Sequence, residues 1–210
     1  MKITIFGASG GIGQHAVKHA LNAGYEVNAF VRHPEKVQVV NDRLHVIQGS
    51  IDNYTEVSAA IAGSDAVVWC VGIPMGRYDG YPSLDGHRVL LRAMKAQNIS
   101  RLVDWGTPSI HFEKDTKSFI TVVPGLIAGI TLRHAKEEMQ KIGDLLQESD
   151  VDFTLVRFMA PKNTVYTGEV KVGFGDVKMK LAISREDIGA FMIDQIQSDQ
   201  YLRSMPIIGS

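Results

Sequence analysis

Short apolar runs alternate with longer amphipathic stretches along most of the chain, and the alternation predicts an order of elements. KITIF (2–6) is a nearly continuous apolar strand. IGQHAVKHALNAG (12–24) places Ile12, Ala16, Ala20 and Ala23 on one face with Val17 and Leu21 beside it, and Gly24 follows as a stop. EVNAFV (26–31) and LHVIQG (44–49) are further strands. A helix over 53–62 is capped by Asp52 or Asn53 and ends at Gly63. AVVWCVG (66–72) is apolar throughout, as a strand covered on both faces must be. A helix over 83–97 carries Val89, Leu90, Ala93 and Met94. RLVDWG (101–106) is a strand, 132–149 a long helix, and DFTLVR (152–157) another strand.

Strands and helices in this succession predict an α/β, doubly wound parallel sheet. Two connections are long, 72–82 (GIPMGRYDGYP) and 106–131. Both follow the carboxyl ends of strands, where open α/β sheets bind ligands, and loops of that length are commonly functional. Beyond the last of these strands, GEVKVGFGDVKMKL predicts a hairpin turning at Gly173–Asp176. SREDIGAFMIDQI predicts a helix with Ser184 as N-cap and Asp187 at the capping-box position. MPIIG (205–209) adds a last strand. Residues 1–210 are read as a single domain with a small C-terminal appendage, and 72–82, 106–131 and 158–182 as its substrate-side loops.

The composition narrows the function. Hydrophobic residues make up 45% of the 210 positions, enough for a sizeable core. A formal net charge of −1 gives no reason to expect nucleic acid or an anionic membrane as partner. The single cysteine, Cys70, excludes a disulfide framework and a cysteine-based zinc site. The apolar run starting at Ile3 has no charged n-region and leads straight into glycines, unlike a signal peptide. No apolar stretch reaches the about 18 residues that span a bilayer. A cytoplasmic protein acting on a small molecule, as monomer or homodimer, is expected.

The first strand runs into four glycines, Gly7, Gly10, Gly11 and Gly13. Flexible residues there cost backbone entropy. A bound pyrophosphate accounts for that cost: it needs close backbone donors, which a Cβ would hold off, and a helix N-terminus supplies free N–H groups and a favourable dipole. The pattern sits on the first strand of a βαβ succession, the context that makes it a dinucleotide signal. Ser9 adds a hydroxyl. The end of the second strand selects among cofactors. Acids there accept from a ribose 2′-OH, whereas an Arg accommodates a 2′-phosphate. This chain reads FVRHPEK, with Arg32 and Lys36 and no acid at 30–32. NADP(H) is therefore expected over NAD(H).

With the GxxGxxG of 7–13, VRHPEK, WCVG (69–72) and ISREDIGAFM (183–192), the chain resembles the atypical short-chain dehydrogenase/reductase superfamily nearly end to end. It is most similar to the NAD(P)H-binding branch that holds flavin reductase (biliverdin-IXβ reductase) and NmrA-like proteins. The resemblance implies a Rossmann-type fold. It implies cofactor contacts at Gly7, Ser9, Gly10, Gly11, Ile12 and Arg32, with Ser50 and Ile51 beside the adenine. Many members carry an aspartate at the position of Ser50, and Asp52 lies two residues on. Val71 and Gly72 fall beside the ribose and Thr107 near the nicotinamide. FTLVRFMAPKNTVYTG (153–168) resembles the segment whose arginine precedes a nicotinamide-side loop, which places Phe158 and Met159 at the cofactor.

Short-chain dehydrogenases commonly use Tyr-x-x-x-Lys, the tyrosine as proton donor. None of the six tyrosines here is followed by lysine four residues later. Thr107 and His134 remain as candidate catalytic groups. His111 can line the pocket mouth or simply be exposed. His15 and His19 stand four apart on one helix, but no third ligand is evident and no metal is expected. Met75, Tyr78, Tyr81, Phe158 and Met159 can form a platform for a flat substrate or pack among the loops. The reading is an NADPH-dependent reductase of a small planar acceptor such as a flavin or quinone. The alternative is an NmrA-like NADP(H)-sensing regulatory protein without turnover.

Overall fold

The computed structural model describes residues 1–74, 78–118, 121 and 133–210. β1 (Lys2–Phe6) is fully buried from Ile3 to Phe6, so it needs strands on both sides and helices on both faces. It pairs in parallel with β2 (Glu26–Val31) on one side and β4 (Ala66–Trp69) on the other. β3 (Leu44–Gln48) extends the sheet beyond β2, and β5 (Arg101–Gly106) and β6 (Asp152–Arg157) extend it beyond β4. The eight-stranded order is β3-β2-β1-β4-β5-β6-β10-β8, where β8 is Lys171–Gly173 and β10 is Ile207–Gly209. Every pairing is parallel except β10 with β8. A separate parallel pair joins β7 (Pro161–Lys162) to β9 (Ile183–Ser184).

The period of two along each strand divides the core into two layers. Ile3, Ile5, Ala66 and Val68 face α1 (Gly13–Asn22) and α5 (Arg185–Asp194), whereas Phe6, Val67 and Trp69 face α2 (Tyr54–Ile61), α3 (Pro82–Ala96) and α4 (Arg133–Glu148). The sheet carries buried polar residues where a helix end can satisfy them. Thr4 Oγ1 and Asn28 Nδ2 both donate to the Ala60 carbonyl, at 2.9 and 2.8 Å.

The doubly wound sheet matches the expected fold class. Asn53 caps α2, its side chain accepting from Thr55 N and Glu56 N. Ser184 caps α5 in the same way, but the capping box is incomplete. Asp187 turns to the 163–168 loop and accepts from Thr167 N at 3.0 Å and Gly168 N at 2.8 Å. The predicted hairpin at Gly173–Asp176 does not form a ladder of its own. β8 pairs with β10, and Lys180 exchanges backbone bonds with Ser210, so both arms use the C-terminal strand as partner. Leu132 and most of 119–131 lie outside the described residues.

Three buried charged groups tie the layers together. Arg157, wholly buried, forms a two-pronged ion pair with Asp115 (2.5 and 2.7 Å) and donates to the Ile110 and Met205 carbonyls. That joins β6 to the β5–α4 connection and to the approach to β10. Glu138 on α4 accepts from Ser83 N and Leu84 N, at 2.7 and 3.0 Å, and so caps α3 from a different helix. His87 on α3 lies between the Ser83 carbonyl (2.6 Å) and the Asp104 carboxylate on β5 (2.9 Å).

Both ring nitrogens of His87 face acceptors, which the imidazolium satisfies and a neutral ring cannot. Burial alone disfavours that charge, but Asp104 and the Ser83 carbonyl outweigh it and the His87 pKa is raised. A raised histidine contributes stability in full below its ordinary value, about 6.5, and loses that contribution as pH climbs through the folded value. Wild type is therefore expected to exceed His87→Asn in stability most at pH 6, with the gap narrowing toward pH 9. Urea melts across that range check it; a gap that widens with pH contradicts the ion pair.

Candidate functional site

The chain leaves β1 through Gly7, whose φ of +72° favours glycine. Any Cβ there would stand 2.7 Å from the Cys70 backbone. The Gly7 N–H donates to the Phe30 carbonyl and the Gly10 N–H to the Gly7 carbonyl. At Gly13 the contact is closer still, since a Cβ would fall 2.2 Å from the Gly7 oxygen. Strand and helix thus approach to a distance that only glycine permits. Among the described residues, the N–H groups of Gly11, Ile12 and Gly13 have no backbone acceptor, and no acid stands in the first turn of α1. Unpaired donors and an uncompensated dipole are features that suit a helix start to an anion.

A cleft of about 850 Å³ runs from this turn along the carboxyl ends of β1–β4. It gathers most of the expected cofactor residues: Gly7, Ser9, Gly10, Arg32, Lys36, Ser50, Ile51, Val71 and Gly72. Arg32 and Lys36 are exposed, and neither forms an ion pair with a described residue. Their neighbour His33 pairs with Glu35 at 3.3 Å. Ser50 N donates to Glu56 at 2.8 Å, which holds the β3–α2 corner, and Asp52 lines the cleft beside it. The first turn of α3 also reaches the cleft, through Pro82 and Ser83. Glu138 already occupies its donors. Among the described residues the start of α1 keeps N–H groups without acceptors, whereas the first N–H groups of α3 are taken. Glu138 is the residue that sequence reasoning missed, although a glutamate in the apolar stripe Met139, Ile142, Leu146 is itself a signal.

The remaining predicted residues lie outside the cleft lining. Gly11 and Ile12 belong to the turn itself. Thr107 shares a hydroxyl hydrogen bond of 2.6 Å with Ser109. Phe158 is buried and stacks on Trp105 at 5.7 Å, and Trp105 Nε1 donates to the Val71 carbonyl at 2.8 Å. The pair therefore braces the cleft wall from behind, and Met159 follows it half-buried. His134 lies within 2.8 Å of the Gly80 carbonyl, stacked on Tyr81 and edge-on to Tyr78. The two tyrosines donate to Glu137 and Glu138 on α4. Burial and Glu138 push the Tyr78 pKa up, so it is held as a donor and is a poor acid. A common platform does not form among the described residues: Tyr78 and Tyr81 pack on His134, and Phe158 on Trp105. Met75 lies outside the described residues. His111 is exposed, its N–H on Gln140. Cys70 lines the cleft, with its thiol pushed up to about 12 by burial and by Asp104. His15 and His19 both face Glu186, at 3.6 and 3.4 Å, where Lys18 also donates.

A family model described as NAD(P)H-binding matches residues 7–199. YwnB of Bacillus subtilis, an uncharacterized protein, is 26% identical over 208 residues, covering 96% of this chain and 94% of YwnB. A 2-alkyl-3-oxoalkanoate reductase of Stenotrophomonas maltophilia is 33% identical over 116 residues, 52% of this chain and 34% of that enzyme. The match to an uncharacterized protein of Mycobacterium tuberculosis spans 12% of that protein's length. Among solved structures, a Bacteroides thetaiotaomicron protein named as a candidate epimerase superposes with a TM-score of 0.80 at 26% identity, covering 99% of this chain and 96% of that one. ChuY of Escherichia coli O157:H7, described as an anaerobilin reductase, superposes with a TM-score of 0.80 at 18% identity, covering 100% and 97%.

The turn's glycines should separate by role. Gly13→Ala forces backbone apart and is expected to cost about 1–3 kcal/mol in a urea melt. Gly10 has its nearest neighbour at 3.1 Å and lines the cleft. Gly10→Val is expected to keep more of the stability while losing dinucleotide affinity in calorimetry. Unchanged affinity in a folded Gly10→Val protein would remove the turn from the site.

Proposed function

The chain belongs to the NAD(P)H-binding family, and from that premise we propose that it is an NADPH-dependent oxidoreductase delivering hydride to a small planar acceptor such as a flavin or quinone. One observation carries the reading. A single cleft joins the glycine turn ahead of α1, at Gly7, Ser9 and Gly10, to Arg32 and Lys36, two cations at the end of β2 that make no ion pair with a described residue. A dinucleotide with a 2′-phosphate needs those two features together. The reductase among the curated relatives supports the reaction class.

In this reading the Gly7–Gly13 turn and Ser9 hold the pyrophosphate. Arg32, with Lys36, holds the 2′-phosphate, Ser50 and Ile51 flank the adenine, and Val71 and Gly72 the ribose. The bound nicotinamide supplies the hydride. Thr107 and the Phe158–Met159 segment stand on the nicotinamide side, with the Trp105–Phe158 stack fixing Val71 in the wall. The sequence lacks a Tyr-x-x-x-Lys pair, and His134 is engaged with Gly80. Flavins and quinones are already electrophilic, so solvent can protonate the reduced product.

Steady oxidation of NADPH with FMN or a quinone, dependent on enzyme concentration, is the expected outcome of an acceptor panel. Tight NADPH binding with no turnover across the panel would instead identify a regulatory NADP(H) sensor of the NmrA kind. In the same assay His134→Ala is expected to lower the rate less than about tenfold, well short of losing a general acid.

Cofactor choice gives a sharper test. A charge-assisted contact from Arg32 to the 2′-phosphate is worth about 1.5–3 kcal/mol. That corresponds to about a tenfold to hundredfold preference for NADPH over NADH. Arg32→Asp is expected to collapse or invert the ratio of the two dissociation constants, and wild-type NADPH affinity should fall with salt more steeply than NADH affinity. A wild type that prefers NADH, with a ratio the substitution leaves alone, would make Arg32 an ordinary solvated strand end.

A further inference from the structure

Gly11 contributes no side chain to the turn, yet another residue's side chain lies over it. A Cβ on Gly11 would lie 3.1 Å from both Cδ and Nε of Arg185 on α5. The arginine side chain therefore lies over Gly11, in the turn where the N–H groups of Gly11, Ile12 and Gly13 have no backbone acceptor among the described residues. Its placement is built by other parts of the fold. Gly189 lets α5 press on α1, where a Cβ would stand 2.9 Å from Ala16 N. β7 pairs with β9, in register Pro161 to Ile183 and Lys162 to Ser184, and brings Asn163 alongside. Asn163 Oδ1 then accepts from Arg185 Nη1 at 2.7 Å.

The charge of Arg185 is not balanced locally. Its neighbour Glu186 is taken by Lys18 at 2.8 Å, with His15 and His19 close by. Arg185 itself makes no ion pair with a described residue. Arg185 is half-buried as a residue while its guanidinium reaches solvent with donors to spare, and beside a turn with unpaired N–H groups and a helix dipole that is a place for phosphate oxygens.

Resting on the dinucleotide reading of the cleft, we propose that Arg185 is a pyrophosphate-contacting residue that supplies, from the far end of the chain, the cationic side chain that Gly11 lacks. Asn163 positions it before the ligand arrives. The 2′-phosphate at Arg32 is a separate contact, so the two cations answer to different parts of one ligand.

Calorimetry with NADPH, ADP-ribose and adenosine 2′-monophosphate separates them. Arg185→Gln is expected to weaken NADPH and ADP-ribose by about tenfold or more, and to leave adenosine 2′-monophosphate, which has no pyrophosphate, within about twofold. The dependence of NADPH affinity on salt should become shallower. Arg185→Lys keeps the charge without the planar fork and should recover most of the ADP-ribose affinity, and it also serves if Arg185→Gln does not fold. If a folded Arg185 variant binds ADP-ribose as wild type does, or loses all three ligands equally, the proposal is overturned. A wild type that binds neither NADPH nor ADP-ribose overturns the dinucleotide reading itself, and this inference with it.

Discussion

The approach of α1 to β1 at Gly13 is the contact from which the site follows. A hydrogen in place of a methyl there lets the helix start directly behind the Gly7 carbonyl. Its first N–H groups then open at the carboxyl edge of the sheet instead of being held away from it. Everything packed on α1 inherits that position. α5 lies against α1 through a second glycine, Gly189, and the N-terminus of α5 carries Arg185 across the turn. A few close backbone approaches thus determine where an anion can bind and which side chains reach it.

Buried charge holds the other half of the molecule. Arg157 with Asp115, His87 with Asp104, and Glu138 on the start of α3 each join segments distant in sequence. Removing one partner of such a pair leaves an uncompensated buried charge, so these contacts admit few alternative packings. Their shared effect is to fix the start of α3, and Asp115 in the β5–α4 connection, against the sheet. The resemblance placed Arg157 just ahead of a nicotinamide-side loop. In the fold it is buried, and all three of its guanidinium nitrogens bond to Asp115 or to the Ile110 and Met205 carbonyls, so it anchors that side.

The absence of a Tyr-x-x-x-Lys pair and the engagement of His134 by Gly80 give the proposed chemistry its limits. Such a site can bind, orient and exclude, and the histidine that lines the cleft, His33, is paired with Glu35. Cys70, the cleft's thiol, is held protonated by burial and by Asp104. Acceptors that need no enzyme-held proton fit this inventory better than alcohols or sugars do.

Most of the architecture was readable from local pattern. β1, β2, β5 and β6 have the predicted bounds, because parallel strands covered on both faces read as short, mostly apolar runs. The glycine turn was readable too, since it is a short-range signature of a backbone requirement, and so was the position of Arg32 at the end of β2. The partners of buried polar groups were not. His87 and Glu138 each sit in an apolar helical stripe, and only the crossing of α3 with β5 and α4 decides what they meet. The hairpin failed for the same reason: β-pairing is chosen by the neighbour available in space, and the C-terminal strand was nearer than the hairpin's own second arm. Arg185 looked like an ordinary first-turn residue of α5. Its place over Gly11 depends on α1, α5 and the β7–β9 pair converging, and no local stretch of sequence contains that information.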